Sequence, residues 1–208
     1  MTRDDVFKAI DVADTDALKS ILDENAELAS CRSDDGLSAV LFTLYINKPD
    51  LTKILLSFEP DLDLFDLAAL GGVGQISHML ATDDKVVHEF SGDGFTALHL
   101  ASYFGHADVA RLLLENSADI DKVAMNGSNL RALQSAVSNC HLDVVKVLLE
   151  FNPDINVQML GGFTPLMSAI ALGDEEIAAL LIEYGADQTL KADDGRVAAD
   201  FTKLSGNV

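Results

Sequence analysis

Apolar residues along this chain recur in paired short bursts, each too brief for a free-standing helix and too regular for a loop. Between Asp93 and Asp121 (DGFTALHLASYFGHADVARLLLENSADID) the pattern is complete. Asp93-Gly94 supplies turn chemistry, because glycine takes up positive φ at little cost. Thr96 stands where its side chain can accept from an orphan N–H at the start of a helix. Leu98 and Ala101, three apart, share that helix's inner face. Gly105 is expected to be left-handed and to end the helix. Val109, Leu112 and Leu113 then form the apolar stripe of a second helix. Neither helix is long enough to be stable alone in water, so the unit must stack on others like it.

Those others are present. Gly72 lies 33 residues before Gly105, Cys140 lies 35 after it, and Gly173 another 33 on; the turn glycines Gly162 and Gly195 are also 33 apart. Four, seven and eight residues beyond each expected reversal the apolar positions repeat: Leu51, Ile54 and Leu55; Ile76, Met79 and Leu80; Val109, Leu112 and Leu113; Val144, Val147 and Leu148; Ile177, Leu180 and Leu181. The wording TALHLA followed by GHADVARLLL resembles the ankyrin repeat, whose pattern T-P-L-H-x-A recurs about every 33 residues. The resemblance covers almost the whole chain. It implies an all-α ankyrin-repeat solenoid of helix-turn-helix units carrying β-turn or hairpin fingers, of the stand-alone kind common in bacteria.

Divided on that period, residues 1–208 form a single domain. Residues 1–32 are an opening helix pair with no turn ahead of it, as expected of a terminal cap. Repeats follow at 33–62, 63–90 (shortened, without a turn element), 91–123, 124–158 and 159–191, and 192–208 is a half repeat of a turn and one helix. In the 33–62 repeat Ser38, Leu41 and Asn47 replace the Thr, His and Gly of the pattern; Asn tolerates the left-handed conformation, so the reversal survives. The 124–158 repeat carries two extra residues in AMNGSNLR, which predicts a longer finger. The period breaks once, between Asn47 and Gly72, which are only 25 apart. No DG-x-T segment occurs there, so the row of turns is expected to be interrupted near Asp61 to Asp66, leaving a gap or bend. Leu62, Leu64, Phe65 and Leu67 leave no polar linker, which favours a continuous stack over a separate subdomain.

Charge narrows the partners. Thirty-four acidic against 14 basic residues give a net charge of −20 and a pI near 4.3. Nucleic acid is disfavoured as a direct partner, since phosphates need Lys and Arg, and so are anionic membranes. An acidic field would steer basic partners, although an ordinary solvated surface is the simpler account. Cys31 and Cys140 lie several repeats apart, too far to bridge, and free thiols suit a reducing compartment. No apolar segment follows the arginine of MTRDDVFKAI as a signal peptide requires, and no charge-free apolar run approaches about 20 residues. The expectation is a cytoplasmic monomer that does not enter the membrane.

Candidate chemistry is sparse. Ala69 to Gln75 (ALGGVGQ) has the glycines of a phosphate loop without its Lys-Ser/Thr or a preceding strand. His99 is the His of the repeat pattern, and His106 and His141 follow successive reversals. Cys140 beside His141 has no second pair at zinc-ligand spacing. No metal, cofactor or catalytic set is therefore expected, and the many aspartates fall where caps and the helix dipole account for them. The resemblance implies a non-catalytic protein–protein interaction module that binds a protein partner, possibly a basic one, on its concave face. The residues it assigns to that face are Asp93, Phe95, Tyr103 and Phe104; Asn129, Leu130 and Arg131 on the longer finger, with Ser138 and Asn139 behind; and Phe163, Ala171 and Leu172. Phe95 and Phe163 occupy matching positions, as anchors or as packing between adjacent fingers. An acidic inhibitor or immunity-type protein masking a basic site is the alternative.

Overall fold

The structure, a computed structural model, describes residues 1–202. Among the described residues twelve short α-helices run in six antiparallel pairs: α1 (Arg3–Asp11) with α2 (Thr15–Glu24), α3 (Ala39–Tyr45) with α4 (Pro49–Ser57), and α5 (Leu64–Leu70) with α6 (Val73–Thr82). They continue with α7 (Ala97–Phe104) and α8 (Ala107–Glu115), α9 (Ala132–Ser138) and α10 (Leu142–Glu150), and α11 (Pro165–Leu172) and α12 (Glu175–Glu183). Odd-numbered helices form an inner row and even-numbered helices an outer row. Among the described residues there is no strand, only an isolated bridge between Arg32 and Ser38. The core between the rows is almost wholly Ala, Leu, Ile and Val.

Local chemistry explains the boundaries. Ser38, Thr96 and Thr164 each accept, through the side-chain oxygen, the N–H three residues on, and Asp63 does the same for α5. This satisfies one of the donors a helix start leaves free. Left-handed residues turn the chain back at Asn47 (φ 52°), Gly105 (φ 85°), Cys140 (φ 57°) and Gly173 (φ 74°). The third pair departs from expectation. Its left-handed residue is Gly71 (φ 79°), whereas Gly72 has an ordinary φ of −77°. Position 71 also has no room for a side chain, since a Cβ on Gly71 would stand 2.8 Å from His106 Nδ1 of the next repeat. The α6 stripe nevertheless stands where expected: Ile76 and Leu80 are buried and Met79 half-buried, as Val109, Leu113 and Leu112 are in α8.

Five fingers project from the inner row. Each is closed by a backbone N–H···O bond between its ends: Ser33 to Leu37 and Ser91 to Phe95 at 2.8 Å, Ala124 to Leu130 at 2.9 Å, Met159 to Phe163 at 3.0 Å and Ala192 to Arg196 at 2.8 Å. The 124–130 finger is two residues longer than the others. Successive fingers are stitched together by Met125 N–H to Gly94 O (2.8 Å), Leu160 N–H to Ser128 O (3.2 Å) and Asp193 N–H to Gly161 O (3.0 Å).

No finger precedes α5, as expected, and of the two expected outcomes, a gap or a bend, the row shows no gap. Fingers 33–37 and 91–95 meet directly: a Cβ on Gly92 would lie 1.9 Å from the Asp35 carbonyl oxygen. Meanwhile α3, α5 and α7 remain in contact in turn, whereas α4 and α6 barely touch and a groove opens along Pro60, Leu62, Leu67 and Met79. Losing the spacer on the finger side while keeping the helices wedges the stack, closing it in front and opening it behind. The apolar core divides at the same place. One cluster runs from Val6 to Leu55 and another from Leu41 to Phe201, with Leu44 and Leu62 packed on both. The stack is continuous and bent.

At the far end, Ala198–Asp200 forms one 3-10 turn in place of the expected helix, and Phe201 is buried against Phe163. Residues 203–208 of the expected half repeat lie outside the described residues.

Candidate functional site

The bend builds a hollow. On the finger side a cavity of about 250 Å³ is lined by Tyr45 of α3, Phe95 of the 91–95 finger, His99, Leu100 and Tyr103 of α7, Leu130 of the long finger and Ser135 of α9. Tyr45 reaches it from two pairs away. Tyr45, Ala69 and Tyr103 each stand two residues before their pair's left-handed residue, and the small, buried Ala69 leaves room for the tyrosines to meet above it. Their ring centroids are 5.9 Å apart, and Phe104 lies 5.7 Å from Tyr45 and 4.9 Å from Tyr103. The Tyr45 hydroxyl donates to Asp93 Oδ2 at 2.6 Å, while the Ser91 hydroxyl takes the other Asp93 oxygen. Burial first, and then Asp93, raise the Tyr45 pKa well above the ordinary phenol value, so it stays a donor.

His99 forms the cavity's rear wall and ties two repeats together. Its Nδ1 accepts from the Thr96 N–H (3.3 Å), so its Nε2–H donates to the Leu130 carbonyl (3.1 Å). Burial pushes the imidazole pKa below its ordinary value. The unfolded residue, near pH 6.5, binds a proton before the folded one does, so this contribution to stability is complete above that pH and declines below it. One repeat later Gln134 does the same work without titrating: its Oε1 accepts the Arg131 N–H (3.2 Å), and its Nε2 donates to Val157 O (3.3 Å) and Phe163 O (3.4 Å). His99→Gln is therefore expected to hold stability at pH 7 within about 1 kcal/mol and to flatten its decline between pH 7 and pH 5. Urea unfolding at the two pH values measures both, and an unchanged slope would show that His99 does not contribute it.

The expected face residues are distributed unevenly. Phe95, Tyr103 and Leu130 line the cavity, Asp93 stands at its edge, and Phe104 backs the two tyrosines. Asn129 is exposed on the long finger with φ 56°. Arg131 Nε donates to the Asp121 carbonyl (3.1 Å) and Asn139 Nδ2 to that of Ser135 (2.9 Å), so both serve the local backbone. Phe163 packs on Phe201 at 5.3 Å, and Leu172 is exposed outside the cavity. The apolar positions from Phe95 to Leu172 thus do not form one strip. Tyr45, Leu100 and Ser135 escaped the sequence reading; the column two residues before each reversal carried the signal for Tyr45.

The remaining candidate groups have structural partners. His106 Nε2 bonds Ala69 O (2.8 Å) and His141 Nε2 bonds Tyr103 O (2.9 Å). Cys31 is half-buried, its pKa pushed up to about 11 by burial, and Cys140 is exposed; neither is bridged. Among the described residues no three His, Cys, Asp or Glu side chains gather as metal ligands. No described helix is long and apolar enough to cross a membrane.

Paired helices stacked on a row of stitched fingers define a repeat solenoid. The family model for ankyrin repeats (3 copies) matches residues 6–124 and 122–192, and the chain belongs to this family. Similar proteins include the mouse Ankyrin repeat and SAM domain-containing protein 6, 34% identical over 142 residues, which are 68% of this chain and 12% of that protein. Human B-cell lymphoma 3 protein is 44% identical over 99 residues, 48% of this chain and 22% of that protein. The Saccharomyces cerevisiae Probable 26S proteasome regulatory subunit p28 is 26% identical over 197 residues, 88% of this chain and 86% of that protein. The chain thus spans about an eighth of the first of these relatives and most of the last. Ankyrin repeats are generally protein–protein interaction modules, and proteins built from them are typically non-enzymatic scaffolds.

Proposed function

We propose that this chain is a non-catalytic interaction module that holds a protein partner on its concave, finger-side face, with an apolar partner side chain in the cavity between Tyr45 and Leu130. The supporting observation is the cavity itself: an open hollow of side-chain size walled by three aromatic rings. Asp93, Phe95, Tyr103 and Leu130 are the contact residues, joined by Tyr45. Burying one large apolar side chain contributes about 1.5–3 kcal/mol, whereas an exposed ion pair contributes at most about 1 kcal/mol. Affinity therefore resides in the cavity. The exposed acids at the finger tips (Asp34, Asp35, Asp193 and Asp194) set the association rate and repel acidic competitors.

Tyr103 is 40% exposed and is not among the buried core residues. Against a partner isolated with the full chain, Tyr103→Ala should weaken binding at least about tenfold, with a cooperative melt retained and only the small drop in melting temperature that the lost ring contacts imply. Glu176→Gln with Glu183→Gln, on the outer row, should leave binding nearly unaltered. The reverse result would move the partner to the other face. The acidic finger tips also support a second reading, an acidic inhibitor masking a basic site. That reading requires affinity to fall steeply with salt, whereas a cavity-anchored partner loses little.

A further inference from the structure

A second hollow lies on the same face, and α3 is common to both. Its floor is Phe7 of α1 and Phe42 of α3, with ring centroids 5.7 Å apart, and it encloses about 480 Å³. Phe42 and Tyr45 are three apart on α3, neighbours on one helix face, so the two hollows adjoin along a single turn of helix. The rim of the second hollow has an acidic excess, Asp4, Asp11, Asp34 and Asp35 against Arg3 and Lys8. Arg3 is committed to Asp4 (3.2 Å) and Asp34 (2.8 Å), while Asp11, Asp35 and, at the α1 side, Lys8 have no ion pair among the described residues. Asp35 also belongs to the finger that abuts Gly92. It therefore stands at the boundary between the hollows, with Asp93 on the other side held by the Tyr45 hydroxyl.

Two apolar floors divided by unpaired carboxylate charge define a complementary occupant. We infer that the partner presents a linear basic segment whose two apolar side chains seat in the two hollows, with Lys or Arg between them facing Asp35. This rests on the concave-face reading above. It adds a second anchor and a sign of charge. A segment with one apolar residue would leave Phe7 and Phe42 wet, and an acidic one would meet Asp11, Asp35 and Asp93 at close range.

A random peptide library displayed on phage and selected against the full chain supplies the probe, with the affinities of the enriched peptides measured by fluorescence polarisation. The enriched peptides should share two apolar positions with Lys or Arg between them. Tyr103→Ala and Phe7→Ala should each weaken them at least about tenfold. Asp35→Asn should weaken them about two- to fivefold, an effect that disappears at high salt. Thermal melts of each variant confirm that the fold is intact, and Asp35→Asn, at an exposed finger tip, keeps the test valid should Phe7→Ala unfold. Peptides sensitive to Tyr103→Ala but indifferent to Phe7→Ala and Asp35→Asn would overturn the two-anchor inference and leave the concave-face reading standing. Enrichment of peptides without basic residues, or of none at all, would overturn the inference likewise. Peptides indifferent to all three changes would overturn both.

Discussion

Gly105→Val should cost about 3–5 kcal/mol, more than the conformational penalty of the substitution alone. Two effects coincide at this position. With φ at 85° the backbone is left-handed, which a β-branched residue adopts at a cost of about 1–3 kcal/mol. A Cβ there would also stand 2.7 Å from His141 Nδ1 and 2.8 Å from Cε1. The imidazole must move, losing its bond to the Tyr103 carbonyl (2.9 Å) at about 0.5–1.5 kcal/mol, and repacking adds about 1 kcal/mol or more. Gly127→Val separates the two effects, because Gly127 is equally left-handed (φ 79°) with nothing within 4 Å of its added Cβ. It should cost only the backbone share. Urea unfolding of both variants measures the difference, and in a His141→Ala background the excess at Gly105 should vanish. Equal losses at the two glycines would sink the account of His141 as a docked ring.

That histidine shows what a single sequence discloses and what it hides. The helix pairs, the five fingers and the two extra residues of the 124–130 finger were legible because each depends on local signals: apolar spacing at the helical period, a side-chain cap, a turn glycine. Which of two adjacent glycines turns the chain after α5 was not legible. Gly71 and Gly72 both lack a Cβ and both are crowded, Gly71 by the His106 ring of the next pair and Gly72 by Leu67, so nothing in the local pattern distinguishes them. The closing of the finger row was hidden for the same kind of reason. The missing turn can be counted in the sequence, but the contact of Gly92 with the Asp35 carbonyl is a consequence of three pairs packing together. The candidate site inherits both halves. Phe95, Tyr103 and Leu130 follow from repeat position, while Tyr45 joins them only because the intervening pair has Ala69 in that column and no finger to hold the neighbours apart.

The same deletion leaves a charge in the core, and Arg32→Ala should expose it. Asp66 occupies the position His99 and Gln134 hold in later pairs, but a carboxylate cannot donate to the next finger's carbonyl. It accepts instead, from the Ser38 hydroxyl, from Arg32 Nη2 (3.1 Å) and from the Asp63 N–H (3.2 Å). Arg32 also reaches Asp63 (3.0 Å) and the Gly36 carbonyl (3.4 Å), so its guanidinium bridges the 33–37 finger and the start of α5, which has no finger of its own. Burial first, and then Asp63, push the Asp66 pKa above the ordinary carboxylate value, with Ser38 and Arg32 opposing. An acid raised on folding contributes stability that is complete below its unfolded pKa, about 3.9, and is lost as pH rises through the folded one. Removing Arg32 raises Asp66 further, so the variant's deficit should be largest at pH 7 and shrink as Asp66 takes up its proton on acidification. Breaking a fully buried pair costs about 3–5 kcal/mol. Arg32 is 34% exposed, so water replaces part of its role and about 2–3 kcal/mol is expected at pH 7. Comparing variant with wild type at each pH cancels the opposite trend from His99. Asp66→Asn in the Arg32→Ala background removes the stranded charge and should recover most of the loss. A deficit constant from pH 7 to pH 4.5, or one that Asp66→Asn leaves in place, would mean that Arg32 acts through packing rather than by neutralising the carboxylate that the missing finger left inside.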